Sequence, residues 1–230
     1  MCIRDRAITE ETALLLKVHT SNYSVVGFTA EVPLTALAVL GQRFGIPVME
    51  DLGSGSFVDF SKYGLAKEPT VQEAIKAGVD VVTFSGDKML GGPQAGIILG
   101  KKVFIEKIKK NPMNRALRID KMTLAALEAT LHIYRDEQDA ISSIPTLRML
   151  TLPKQVITRR AKRLKKKLDN WEESHLNILL LDGSSRVGGG ALPLQDLPTT
   201  LVGIELDKVS ASSLEQFMRG FDPPIVGRIE

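Results

Sequence analysis

The sequence predicts an α/β domain, with a mostly parallel sheet between helices, followed by a smaller C-terminal α+β domain. Three observations carry that expectation. Over residues 13–99, apolar runs of strand length alternate with segments of helical periodicity, which is the grammar of a layered α/β domain. Polar residues gather where those runs end, at Asn22, at Asp51 and from Ser85 to Lys88. Ligands of such sheets bind outside the carboxyl ends of the strands. Beyond Ile144-Pro145-Thr146 the pattern changes to a long basic helix, two apolar runs and one short helix. The expected domains are therefore residues 1–144 and 145–230.

Bulk composition bounds the function. At 230 residues, with 43% apolar and 25% charged residues, the chain can bury a core of ordinary size. Thirty basic residues against 27 acidic ones leave a net charge of only +3, so global charge does not point to nucleic acid. The single cysteine, Cys2, excludes an internal disulfide framework and a cysteine-rich zinc site, and fits a reducing, cytoplasmic setting. No apolar run approaches the roughly 20 residues of a membrane span. The charged start, Met1 to Arg6, is no signal peptide. Its abrupt passage into a strand-like run suggests a fragment lacking upstream sequence.

Taken in order, residues 13–19 read as a mostly buried strand, left through the polar turn Thr20-Ser21-Asn22-Tyr23. Leu34, Leu37, Ala38, Leu40 and Phe44 lie at helical spacing within 32–44, and Gly45 ends that helix. Residues 46–49 form a short strand with Glu50-Asp51 at its carboxyl end. Residues 70–77 read as a helix closed by Gly78, and 79–84 and 95–99 as the next strands. A short amphipathic helix over 101–110 stops at Asn111-Pro112. Residues 120–135 are good helix formers, with Leu124, Leu127, Leu131 and Tyr134 in period. The helix expected over 156–171 carries Arg159, Arg160, Lys162, Arg163, Lys165, Lys166 and Lys167. Such a charge run reads first as a solvated face. Apolar runs at 176–181 and 199–206, a helix at 211–219 and a strand-like end at 225–230 complete the chain.

The stretch from Val81 to Gly96 holds the most chemistry. It places Ser85, Asp87 and Lys88 between two apolar strands and ends in the turn Gly91-Gly92-Pro93. Desolvation of a lysine lowers its pKa toward a nucleophilic amine, the setting a Schiff-base lysine needs. A lysine that merely caps a strand end fits the same letters. So does Asn22 as a turn residue, Asp51 as a strand-end cap and Ser85 as a turn hydroxyl. His19, a lone histidine ending a strand, reads as structural.

The order Asn22, Asp51, Ser85-x-x-Lys88 resembles the large domain of fold-type-I pyridoxal-phosphate-dependent transferases, here incomplete. Longer words make the resemblance narrower. Lys17-Val-His-Thr-Ser-Asn-Tyr23, Glu50-Asp-Leu-Gly-Ser-Gly55, Ser85-Gly-Asp-Lys-Met-Leu-Gly-Gly-Pro-Gln94 and Asn111-Pro-Met-Asn-Arg-Ala-Leu-Arg118 are similar to the bacterial selenocysteine synthases, the L-seryl-tRNA(Sec) selenium transferases. The resemblance covers roughly residues 10–230.

That resemblance implies a set of roles. Lys88 carries pyridoxal 5'-phosphate as a Schiff base and shuttles the α-proton. Asp51 pairs with the pyridine nitrogen, Asn22 donates to the phenolate oxygen and Ser85 contacts the cofactor phosphate. Asp87 assists proton transfer or positions the amine, with an ordinary structural carboxylate as the alternative. Arg115 and Arg118 take the phosphate of selenophosphate, for which a guanidinium fork is matched, and a spacing of three puts both on one helical face. The reaction implied is β-elimination of water from seryl-tRNA(Sec), through dehydroalanyl-tRNA, followed by addition of selenium. The family also implies a homo-oligomeric ring built from dimers, and places the tRNA-binding domain and a glycine-rich phosphate cup upstream. Two other readings are a related lyase acting on a free amino acid and a non-catalytic RNA-binding or assembly fragment.

Overall fold

The structure is a computed structural model that describes residues 6–23, 25, 27–170, 175–188 and 190–229. Cys2 with the rest of residues 1–5, Trp171 at the expected end of the basic helix and Glu230 lie outside them. The chain divides into two compact units, residues 1–151 with 186–195, and residues 152–185 with 196–230. Among the described residues no helix is long and apolar enough to cross a membrane.

The first unit is built on a four-stranded sheet in the order β1 (Leu15–Val18), β2 (Val48–Gly53), β3 (Val81–Ser85) and β4 (Gly96–Gly100). The first three strands are parallel, with Val18 paired to Asp51 and Asp51 to Thr83. β4 runs antiparallel to β3, so the expected run of parallel strands ends there. The reason is the connection: residues 86–95 contain no helix, and a parallel return needs a crossover of a dozen or more residues.

Helices follow the periodicity that predicts them. α1 (Leu34–Phe44) ends on Gly45, whose amide is bonded back to Gln42 and Gly41. α2 (Val71–Lys76) starts from a capping box in which Thr70 and Glu73 satisfy each other's backbone amides. α3 (Lys102–Lys109), α4 (Met113–Leu117) and α5 (Lys121–Ile133) follow β4, and Asp120 caps α5 by accepting from the amides of Met122 and Thr123. α6 (Glu137–Ser143) and α7 (Pro145–Leu150) share Ile144 as cap, and that residue is buried.

Burial alternates along β2: Val48, Glu50 and Leu52 face inward. Val48 and Leu52 join Val82, Phe84 and Leu90 in one apolar cluster. Each such fully buried side chain is worth about 1.5–3 kcal/mol. A second cluster holds Phe60, Met89, Ala140, Ile144 and Leu147, together with Ala191 and Leu192 of the returning segment. Glu50 is the exception on the inward face. Desolvation pushes its carboxyl pKa up, against the lowering pull of Lys17 and His19.

In the second unit, α8 (Lys154–Asp169) packs beside a two-stranded sheet of β5 (Leu176–Arg186) and β6 (Asp196–Leu206), and α9 (Ala211–Arg219) follows. On α8, Arg159, Arg160, Lys162, Arg163, Lys166 and Lys167 are exposed, as a solvated face requires. Lys165 differs, donating to the carbonyl of Ile178 at 2.6 Å. Residues 225–229 form no strand, although the apolar letters predict one. The segment instead turns back on the preceding helix, the Ile225 amide donating to the Met218 carbonyl at 3.0 Å.

Candidate active site

The site begins with the way three strand ends are drawn together. β2 leaves the sheet through Gly53-Ser54-Gly55, and its register against β3 slips between Asp51 and Gly53. Such a slip re-aims the side chains beside it. Gly55 has φ 70°, and a Cβ there would stand 2.5 Å from the carbonyl oxygen of Ser85. Only glycine lets the β2 loop pass that close to the end of β3. The carbonyl of Ser54 then accepts from the amide of Met89 at 3.1 Å, which ties the loop to the residue after Lys88. The hydroxyl of Ser54 is buried and, among the described residues, lacks a hydrogen-bond partner.

The turn that carries Lys88 is held from both sides. Gly86 donates to Ala95, Gly92 to Gly86 and Gly91 to Lys88, at 2.8–3.0 Å. From α5, the residue following its last turn, Tyr134, donates its hydroxyl to the Leu90 carbonyl at 2.9 Å. Burial pushes the Tyr134 phenol well up from its ordinary value, so it stays a donor.

Asp51, Thr83 and Ser85 share one face of the sheet, half-buried in the carboxyl-terminal halves of β2 and β3. The Thr83 hydroxyl donates to Asp51 Oδ1 at 3.0 Å. These three line a groove of about 1070 Å³ with Arg118, Asn114 and Lys121. Lys88 and Asn22 lie together elsewhere in the same unit. A Cβ placed on Gly190 would be 3.7 Å from Lys88 Nζ and 3.7 Å from Asn22 Cβ. Lys88 is half-buried, while Asn22 and Asp87 are exposed.

The two arginines do not share a helical face. Arg115 lies in the last turn of α4, but Arg118 is that helix's C-cap with extended backbone, φ −64° and ψ 140°. The helix cannot continue, because two residues later Asp120 caps α5. Arg118 lines the groove; Arg115 is not among its lining residues.

Sequence reasoning passed over three residues here. Thr83 was legible by alternation from Ser85. Gly190 belongs to the run Gly188-Gly189-Gly190, a sequence signal with no place in the expected small domain. Tyr134 appeared only as part of a helical period. A lysine amine can bind a carbonyl and move a proton, and a carboxylate braced by a hydroxyl can pair with a cation. Among the described residues, no group of three His, Cys, Asp or Glu side chains is arranged to hold a metal ion.

Comparison with known proteins narrows the chemistry. Residues 4–230 match the family model described as L-seryl-tRNA selenium transferase. The chain is 53% identical over 224 residues to the L-seryl-tRNA(Sec) selenium transferase of Geobacter sulfurreducens, covering 97% of this chain and 48% of that protein. It is 56% identical over 223 residues to the protein of that name from Alkaliphilus metalliredigens, with the same two shares. Against the one from Nitratidesulfovibrio vulgaris it is 54% identical over 226 residues, covering 98% and 48%. The chain therefore spans about half the length of the curated relatives it matches. Among solved structures, D-glucosaminate-6-phosphate ammonia-lyase superposes with a TM-score of 0.53 at 20% identity, over 97% of this chain and 51% of that one. That likeness concerns the fold, and the mixed sheet with its flanking helices is the fold-type-I large-domain architecture expected from the sequence.

Proposed function

The chain belongs to the L-seryl-tRNA selenium transferase family, and on that premise we propose that the intact protein carrying it converts L-seryl-tRNA(Sec) to L-selenocysteinyl-tRNA(Sec). Selenophosphate is the selenium donor and pyridoxal 5'-phosphate the cofactor. The observation that carries this reading is the meeting of the Lys88 amine and Asn22 around Gly190, in the unit where Asp51 and Ser85 lie on adjacent strands.

The residues fit the cofactor by their chemistry. Lys88 is the amine that binds its carbonyl and, when released, takes and returns the α-proton of the seryl group. The Asp51 carboxylate, braced by Thr83, is the partner for a protonated ring nitrogen. Asn22 is the donor for the phenolate oxygen, and Ser85 a hydroxyl for the phosphate. The cofactor supplies an electron sink that lets the α-proton leave and the β-hydroxyl depart as water. Asp87 assists the proton transfer or steadies the amine. Arg115 and Arg118 are the cations for the selenophosphate oxyanions, and the groove supports that assignment for Arg118, which lines it.

The same reading makes residues 1–144 part of the cofactor-binding large domain and 145–230 part of the small one, of which 145–151 and 186–195 belong to the first compact unit, in a cytoplasmic homo-oligomer. Seryl-tRNA(Sec) with selenophosphate should yield selenocysteinyl-tRNA(Sec) and phosphate, assayed by selenium incorporation into the esterified tRNA. Turnover of a free amino acid with no response to that tRNA would contradict the proposal.

A further inference from the structure

His19 is half-buried in a polar cluster that the proposed chemistry does not use. Its Nε2 stands 2.8 Å from Glu68 Oε2, and Glu68 is 4% exposed. A carboxylate this deeply buried requires partners. The second one is a backbone amide: Glu68 Oε1 accepts from the N–H of Leu192 at 3.3 Å. Leu192 has φ 50°, a conformation that side chains other than glycine seldom adopt and that neighbouring structure must impose. Two residues earlier is Gly190, against Lys88 Nζ and Asn22.

The turn has further anchors. Ala191 and Leu192 are buried in the cluster that contains Phe60 and Met89, the residue after Lys88. Gln195 donates its amide to the Leu192 carbonyl at 3.0 Å, and its side-chain oxygen accepts from the Ala66 amide at 2.6 Å. Apolar contact brings the turn to this unit, but it does not select a left-handed backbone at Leu192. An oriented bond, from Leu192 N–H to Glu68, meets the backbone at that residue, and His19 is bonded to the same carboxylate.

We infer that His19 and Glu68 are positioning residues for Lys88, acting through the 190–192 turn, whose glycine leaves room beside the amine. The inference rests on the proposed role of Lys88 as the cofactor lysine. Its test uses the intact, cofactor-free protein, with hydrogen exchange read over 190–193 and reductive methylation read at Lys88 by mass spectrometry. In His19→Ala, exchange over 190–193 should rise about tenfold and the Lys88 methylation rate should change about threefold, while β2 and β3 keep their wild-type exchange. His19→Gln, which retains an N–H donor for Glu68, should return both to within about twofold of wild type. Should His19→Ala not fold, Glu68→Gln serves in its place, because it keeps an oxygen for Leu192 and removes the charge facing His19.

Unchanged exchange over 190–193 would overturn the inference. So would an equal rise across β1 to β3, unchanged labelling of Lys88, or no rescue by glutamine. Borohydride trapping of pyridoxal phosphate in the wild-type protein is read alongside. Absence of a Lys88 adduct there defeats the proposed function, whereas the exchange pattern alone decides whether the turn is held by this pair.

Discussion

Thr83 donates its hydroxyl to Asp51 across paired positions of β2 and β3, at 3.0 Å. A half-buried carboxylate of β2 is thereby held in one orientation. Thr83→Val keeps the shape and removes the donor, a loss of about 1 kcal/mol. Cofactor affinity, read by titrating the pyridoxal phosphate absorbance, should fall about fivefold with little change in the unfolding midpoint. Unaltered affinity would separate Asp51 from the cofactor.

Arg118 lines the groove with Asp51 and Ser85, whereas Arg115 is not among its lining residues. Arg118→Ala should raise the KM for selenophosphate by about tenfold or more and leave cofactor affinity within about twofold. Equal loss of both would show that Arg118 supports the fold of the site instead of binding the selenium donor.

Gly55 passes Ser85 so closely that a methyl group would stand 2.5 Å from its carbonyl oxygen, at φ 70°. Gly55→Ala should therefore cost about 2–4 kcal/mol in urea unfolding of the intact protein. A change below about 0.5 kcal/mol, the range of neutral surface substitutions, would contradict the close approach.

Tyr134 bonds the Leu90 carbonyl, and burial raises its phenol pKa. A raised folded-state pKa means the unfolded chain loses the proton first. The contribution is thus complete below the ordinary tyrosine value of about 10 and lost as pH rises beyond it. Tyr134→Phe should cost about 1 kcal/mol at neutral pH. The gap between the two proteins should narrow above about pH 10, measured by thermal unfolding at stepped pH. A gap that is constant or widens would place the hydroxyl elsewhere.

Much of this fold is legible because local patterns and tertiary packing agree. The spacing of Leu34, Leu37, Leu40 and Phe44 gives α1, and residues 211–219 give α9 with the same limits. Asn22, Asp51 and Ser85 stand out because polar side chains interrupt apolar runs where strands end. What stays hidden depends on partners distant in sequence. Glu50 looks like a strand-end residue, yet β2 continues through it to Gly53 and turns it inward beside Lys17. The three-residue spacing of Arg115 and Arg118 predicts a shared face only if the helix continues, and the Asp120 cap ends that possibility. Residues 186–195 return to the first unit through buried contacts of Ala191 and Leu192 and a bond to Glu68, more than 100 positions earlier. No periodicity encodes such a return.

The measurement that bears most directly on the whole account is where pyridoxal phosphate attaches. The intact protein is incubated with the cofactor, reduced with borohydride, digested and mapped by mass spectrometry. The account predicts a visible band that borohydride bleaches, a pyridoxyl label on Lys88 and loss of both in Lys88→Ala. A band that survives in Lys88→Ala, or a label on another lysine, would contradict it.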